Sequence, residues 1–285
     1  MKEKIYEEYG YKVSYVIYRN DNIYFELNDS KYMILKTELN ELNLLELDKI
    51  INYLDNYAIF FHKLVVGKNG FSFQFENNRY VLLKLRIISE REITINEIVK
   101  LSNIKINWES KNILENKIDF LEQYLANYEN LELEDINYFI GLTENAITIF
   151  NIIGENDKKY IGHKRIHCKE STLEFYNPLN IVVDYRSRDL AEYAKSLLLN
   201  GVDKTIEFLK YLDYSDWYSY FARIMYPSFY FDLVDNYINK DIKIDKKRIN
   251  ILVNSYEKTI KKLYEFLKIK INIPYIEWLD DINNF

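Results

Sequence analysis

"IGHKRIHCKESTLEFYNPLNIVVDYRSRDLAEY", residues 161–193, is the stretch on which the reading of this chain turns. It holds two of the three histidines and the single cysteine. An apolar run, Asn180 to Val183, has strand composition and ends in Asp184. Shortly after it, Asp189 opens an amphipathic pattern that continues to Leu199 and predicts a helix, with Asp189 suited to cap its N-terminus. Upstream, Leu173 to Phe175 reads as another strand. A Tyr-Asn-Pro turn joins it to the run ending in Asp184, so a short hairpin is expected near 171–184.

The flanks differ in texture. Before residue 90 the chain is strand-rich. Val13 to Tyr18, Ile23 to Leu27 and Tyr32 to Lys36 have strand composition, with Asp21-Asn22 and Asn28-Asp29-Ser30 as turns. Leu44, Leu45, Leu47, Ile50, Ile51 and Leu54 recur at helical spacing. Phe60 to Val66, Phe71 to Phe75 and Tyr80 to Leu85 complete an antiparallel sheet with one helix on a face. After residue 90 the periodicity is helical: Ile95 to Leu101, Asn112 to Tyr128, Leu133 to Phe150, Asp189 to Leu199, Lys204 to Leu212, Trp217 to Asn239 and Asp245 to Lys268. Pro227 should kink or split the Trp217 to Asn239 pattern, because proline lacks the N–H a helix needs. The expected organisation is a β-rich lobe with one helix over 1–90 and a helical lobe over 91–285, together a bilobal α+β chain.

Bulk properties narrow the function. With 285 residues and 48% hydrophobic content the chain can bury a large core. A net charge of −6 does not supply the basic surface that nucleic acid requires. The locally basic segment from Lys240 to Lys262 reads as a solvated helix face. No run of about 18 apolar residues predicts a membrane span, and the first residues lack a signal-peptide core. One cysteine, Cys168, excludes an internal disulfide and fits cytoplasmic synthesis. His163, His167 and Cys168 lack a fourth ligand at zinc spacing. His62, in an apolar strand, reads as a packed side chain.

Four segments carry a resemblance: "YFIGLTENAITIF" (138–150), "HKRIH" (163–167), "NPLNIVVDYRSRDLAEYAKSLL" (177–198) and "DWYSYFARIMYPSFYFDLVDNYI" (216–238). In order and spacing they resemble the spore-coat kinase-like proteins of endospore-forming bacteria, the CotS/YutH group, within the aminoglycoside-phosphotransferase and protein-kinase-like superfamily. The resemblance implies a kinase-like fold and, for an active relative, ATP and magnesium as cofactors. Phosphoryl transfer needs a strand lysine on the phosphates, a helix glutamate pinning it, a loop aspartate as base, and further ligands for magnesium. The resemblance places the lysine at Lys36 and the pinning glutamate at Glu46 or Glu41. It places the base loop at His163 to Glu170 and the magnesium aspartate at Asp184.

Several of those places hold the wrong chemistry. Where active relatives have His-Gly-Asp-x-x-x-x-Asn, this chain has His163, Lys164, Arg165 and, at the last position, Glu170. Arginine cannot accept a proton at neutral pH. No glycine lies between Tyr11 and Gly67, so the first hairpin lacks the residue that lets backbone amides approach phosphates. Arg186 and Arg188 crowd Asp184 with positive charge. The expectation is therefore a degenerate site, a pseudokinase of the spore coat or its assembly whose partners are other spore-coat proteins, not nucleic acid or membrane. The alternative is an active ATP-dependent phosphotransferase on a small molecule or protein, with Asp184 holding magnesium and Glu170 as the base. The aromatic stripe "FARIMYPSFYFDLVDNY" is expected to be core packing first and a protein-contact surface second.

Overall fold

A computed structural model describes residues 1–19, 21–87, 89–107, 136–153, 159–240 and 246–280. The helix expected over Asn112 to Tyr128 lies outside them. The chain forms two compact units. One gathers Met1–Thr94 and Lys169–Val182, and the other contains Ile95–Asn107, the described part of 115–168, and Val183 onward. Lys169–Val182, which a single cut after residue 90 would leave in the helical part, thus belongs to the first unit.

The first unit begins with a helix, α1 (Lys2–Tyr9), ended by Gly10 in the left-handed region at φ 71°. Strands β1 (Ile17–Arg19), β2 (Asn22–Leu27) and β3 (Ser30–Lys36) form the expected meander, β1 being shorter than its composition suggested. Asn28 and Asn77 lie in two-residue loops with their neighbours Asp29 and Glu76, and all four have positive φ. That is the turn geometry which matches strand twist, and Asn and Asp accept it readily. Helix α2 (Glu41–Asp55) starts at a reciprocal cap between Asn40 and Asn43 and buries Leu44, Leu47, Ile50, Ile51 and Leu54. Each such burial contributes roughly 1.5–3 kcal/mol. Strands β4 (Lys63–Leu64), β5 (Ser72–Phe75) and β6 (Asn78–Lys84) complete a six-stranded sheet of order β1-β2-β3-β6-β4, with β5 also on β6. The pairing of β3 with β6 sets Lys36 opposite Tyr80.

The expected hairpin near 171–184 is not what forms. Thr172–Phe175 is a helical turn capped by the Ser171 side chain, which accepts from the Glu174 N–H. Ser171 is a strong N-cap, and that local bond outweighs the weak strand preference of three residues. The turn is anchored within the first unit. The Thr172 N–H donates to the Arg91 carbonyl at 2.8 Å, and the His62 N–H donates to the Tyr176 carbonyl at 2.9 Å.

In the second unit, α3 (Ile95–Ser102) and α4 (Ile136–Ile153) precede a short strand, β7 (Tyr160–His163). This strand forms a two-stranded sheet with β8 (Ile181–Asp184). Helix α5 (Arg188–Leu199) follows, with Ser187, not Asp189, at the N-cap position. Pro227 separates α6 (Trp217–Met225) from α7 (Ser228–Lys240), and α8 is Lys246–Lys270. Helix α6 is the hub of this core, with Tyr220, Phe221, Ala222, Ile224 and Met225 fully buried. Phe139 of α4 stacks on Tyr230 of α7 at 3.8 Å between ring centroids. The aromatic stripe is core, as its first reading held: Phe221, Tyr226, Tyr230 and Phe231 are all buried. Of the basic segment, Lys258 and Lys262 on α8 are exposed and Lys261 is half-buried, while the side chains of its basic residues from Lys240 to Arg248 lie outside the described ones. No described helix is long and apolar enough to cross a membrane.

Candidate functional site

Strand β7 delivers Gly162 and His163 to the start of α5, and two consecutive α5 residues seize them. The Asp189 carboxylate accepts the His163 N–H at 2.8 Å and the His163 Nδ1–H at 2.7 Å. The Arg188 Nε donates to the His163 carbonyl at 2.6 Å, and its terminal nitrogen donates to the Lys164 carbonyl at 2.8 Å. All these groups are buried except the Lys164 side chain. Gly162 suits this close approach, since a Cβ there would lie 2.8 Å from the Asp189 Oδ1 and 3.3 Å from the Arg188 Cδ and would have to displace them. The 163–164 backbone is therefore held by charge-assisted bonds in a dry setting, where such bonds are strong and hard to replace.

The same Arg188 reaches a second carboxylate. Asp184, 1% exposed, receives a bond from the Arg188 guanidinium and another, at 2.7 Å, from Arg223 on α6. Both land on Oδ2, while Oδ1 accepts the Tyr185 N–H at 2.8 Å. Burial alone would raise this carboxyl, but the Arg223 and Arg188 charges and the Tyr185 N–H outweigh it and hold it below its ordinary value. From Arg223 the network continues to Glu192 at 3.4 Å, and Glu192 bonds Lys195 at 2.8 Å. Lys195 also donates to the Tyr226 carbonyl and the Ser228 hydroxyl, each at 3.2 Å. Burial pulls the Lys195 ammonium below its usual range, and the Glu192 carboxylate offsets part of that. Asp184 thus pairs with Arg188 and Arg223, the partly buried Glu192 with Arg223 and Lys195, and Asp189 with His163.

The other expected site residues have other partners or none in this network. Arg165 projects into solvent with its side chain 69% exposed and pairs with Asp232 of α7 at 2.7 Å. Lys36 is exposed at the end of β3 and makes no ion pair among the described residues; Glu46 is half-buried on α2. Glu41 is committed to a loop, accepting the Phe71 and Ser72 N–H groups at 2.9 Å each. Burial works to raise its carboxyl, and the bonds from Ser72 and Phe71 overcome that to lower it. Glu170 contributes its carbonyl to the Ile93 N–H at 3.0 Å. Lys36, Glu46 and Glu170 belong to the first unit, and His163, Arg165 and Asp184 to the second. Arg186, expected beside Asp184, instead binds Asp213 at 2.7 Å and Asp216 at 3.0 Å.

Magnesium does not fit Asp184 as this chain arranges it. Its carboxylate is 1% exposed, with two guanidiniums on Oδ2 and the Tyr185 amide on Oδ1, which is not the open oxygen set that a hydrated, octahedral cation takes. Among the described residues no group of three or more His, Cys, Asp or Glu side chains could hold a metal ion.

The sequence reading missed Arg223, Glu192, Lys195 and Asp232. A signal existed for the first: an arginine in the apolar run Phe221 to Met225 must find a carboxylate or leave the core.

Comparison with known proteins gives a consistent picture. The family model described as spore coat putative kinase YutH matches residues 108–269. Among solved structures, an aminoglycoside phosphotransferase from Alicyclobacillus acidocaldarius aligns with a TM-score of 0.61 at 9% identity, covering 94% of this chain and 97% of that one. A microcompartment-associated aminopropanol kinase aligns at 0.58 and 10% identity, with 94% and 97% coverage. Choline kinase LicA from Streptococcus pneumoniae aligns at 0.53 and 12% identity, with 93% and 97% coverage. No curated protein sequence matches the chain. At these identities the structural likenesses show the fold, which is the α+β protein-kinase-like fold.

Proposed function

The chain belongs to the YutH family of spore coat putative kinases, and from that premise we propose that it is a pseudokinase. On this reading it keeps the kinase scaffold, transfers no phosphoryl group, and serves as a structural or assembly component of the spore coat. The observation that carries this reading is the state of Asp184. A magnesium ligand must present oxygens to a cation, and this carboxylate is spent on Arg188 and Arg223. The guanidinium of Arg165 supports it. By the family resemblance a proton acceptor is wanted there, and arginine has no acceptor to offer. Its partners would be other coat proteins.

Thermal unfolding with and without Mg·ATP tests the catalytic half. We expect no magnesium-dependent rise in melting temperature at millimolar nucleotide. A rise that Lys36→Ala abolishes would favour an active site. A fluorescent fusion in sporulating cells tests the other half: a ring around the forespore is expected, and a signal that stays diffuse through coat assembly would contradict the coat role.

An active phosphotransferase is the second reading. The intact grip of Asp189 on His163 favours it, since an enzyme would need that loop rigid. It would have to free Asp184 from two buried arginines and find a base other than residue 165.

A further inference from the structure

The second unit contains a pocket of about 250 Å³ that the network above borders but does not fill. Its walls come from the 164–167 loop, the middle of α5 and the 226–232 segment. Ile166, Leu199, Phe229 and Phe231 give it an apolar body. Two carboxylates reach it, and both are neutralised: Glu192 by Lys195 and Arg223, Asp232 by Arg165. Lys195 is itself saturated, with its Nζ bonded to Glu192, the Tyr226 carbonyl and the Ser228 hydroxyl. What remains uncommitted is cationic. Lys164 is exposed on the lining and makes no ion pair among the described residues. Arg165 uses one terminal nitrogen on Asp232, and a guanidinium has further donors in its fork.

We propose that this pocket binds a small acid: a ring-sized apolar body carrying a carboxylate or a phosphate monoester, its anion held by Lys164 and Arg165. The size fits, because an apolar cavity of about 150 Å³ accepts a benzene ring, and this pocket is larger by roughly the room an acid group needs. The charge logic also fits. Among the described residues a cationic ligand would meet the unpaired Lys164 ammonium and no carboxylate without an ion-pair partner, whereas an anion gains charge-assisted bonds from Lys164 and from the remaining N–H donors of Arg165. The pocket borders the loop that carries residue 165, and the binding proposed for it holds whether or not the chain transfers phosphoryl groups.

Calorimetric titration of the full chain with phenyl phosphate, benzoate, benzyl alcohol and benzylamine tests this. The two acids should bind at one site, roughly tenfold or more tighter than benzyl alcohol, that being what a bond to a charged group supplies. Benzylamine should not bind. Whichever acid binds more tightly identifies the anion class. Lys164→Gln, at an exposed position that leaves folding intact, should weaken the acids by about tenfold without changing the weak binding of benzyl alcohol. Phe229→Ala should weaken acids and alcohol alike. The proposal is overturned if benzylamine or benzyl alcohol binds as tightly as the acids. It is also overturned if Lys164→Gln leaves acid affinity unchanged, or if neither acid binds at up to about 10 mM, beyond which an affinity is negligible.

Discussion

Arg188 and Arg165 are both guanidiniums facing carboxylates, and they differ in nearly everything that sets the worth of such a contact. Arg188 is fully buried, bonds two backbone carbonyls and the Asp184 carboxylate, and fixes the loop that starts at His163. Arg165, two residues beyond that histidine, is largely in water with one ion pair. The first contact is part of the fold's framework; the second can change with little cost to the framework. On the proposed reading, a kinase-like scaffold is kept intact while the residue at its reactive position is replaced. The retained part is energetically tied into the core, and the lost part is not.

The comparison can be broken at its buried end first. Asp184→Ala strands two arginines in a dry environment, and removing one partner of a buried pair typically costs about 3–5 kcal/mol. Chemical denaturation should show a loss of that order; a loss under about 1 kcal/mol would mean that water or rearrangement relieves the pair.

Next in size is an effect of pH in the first unit. His62 is buried, its Nε2–H donating to the Leu173 carbonyl at 3.1 Å and its Nδ1 accepting the Arg86 N–H at 3.2 Å. Burial, aided by the Arg86 charge and opposed by the Leu173 bond, pushes its imidazole down to about 4. The unfolded chain takes up a proton near 6.5 that the folded chain refuses until about 4. Stability is thus full above pH 6.5 and falls as pH drops from there towards 4, by at most about 3 kcal/mol. His62→Gln should flatten that stretch of the stability curve, and an unchanged slope would show that the ring is not held neutral.

Gly162→Ala sharpens the claim that Asp189 grips the loop closely. The added methyl should cost about 1–3 kcal/mol by overpacking, and a neutral outcome would show that Asp189 can step aside. At the exposed end, Arg165→Ala should change stability by no more than about 1 kcal/mol, the ordinary range of a surface ion pair.

How much of this was legible in the sequence follows the same division between local and long-range causes. The strands of the first unit, α2 and the break at Pro227 were readable because turn residues, period and a missing N–H are local signals, whereas β7 (Tyr160–His163) was not read. The helical turn at Thr172–Phe175 was not, since a serine cap overrode strand-like composition. Helix α1 escaped notice because it is short and charged and buries little beyond Ile5. At the candidate site, His163, Asp184 and Asp189 could be picked out, but not their bonds. The role of Asp189 depends on β7 arriving beside it, and Asp184 finds Arg223 across 39 positions of chain. Sequence suggested Arg186 as a neighbour of Asp184 by proximity, whereas the fold directs it to Asp213 and Asp216.

The central claim is that this scaffold carries no phosphoryl transfer. Its most direct measurement is ADP release by the purified chain with Mg·ATP, alone and with candidate hydroxyl acceptors. The account predicts no turnover above that of a Lys36→Ala control. Sustained, magnesium-dependent turnover that Lys36→Ala abolishes, in a variant that still melts like the parent, would contradict it.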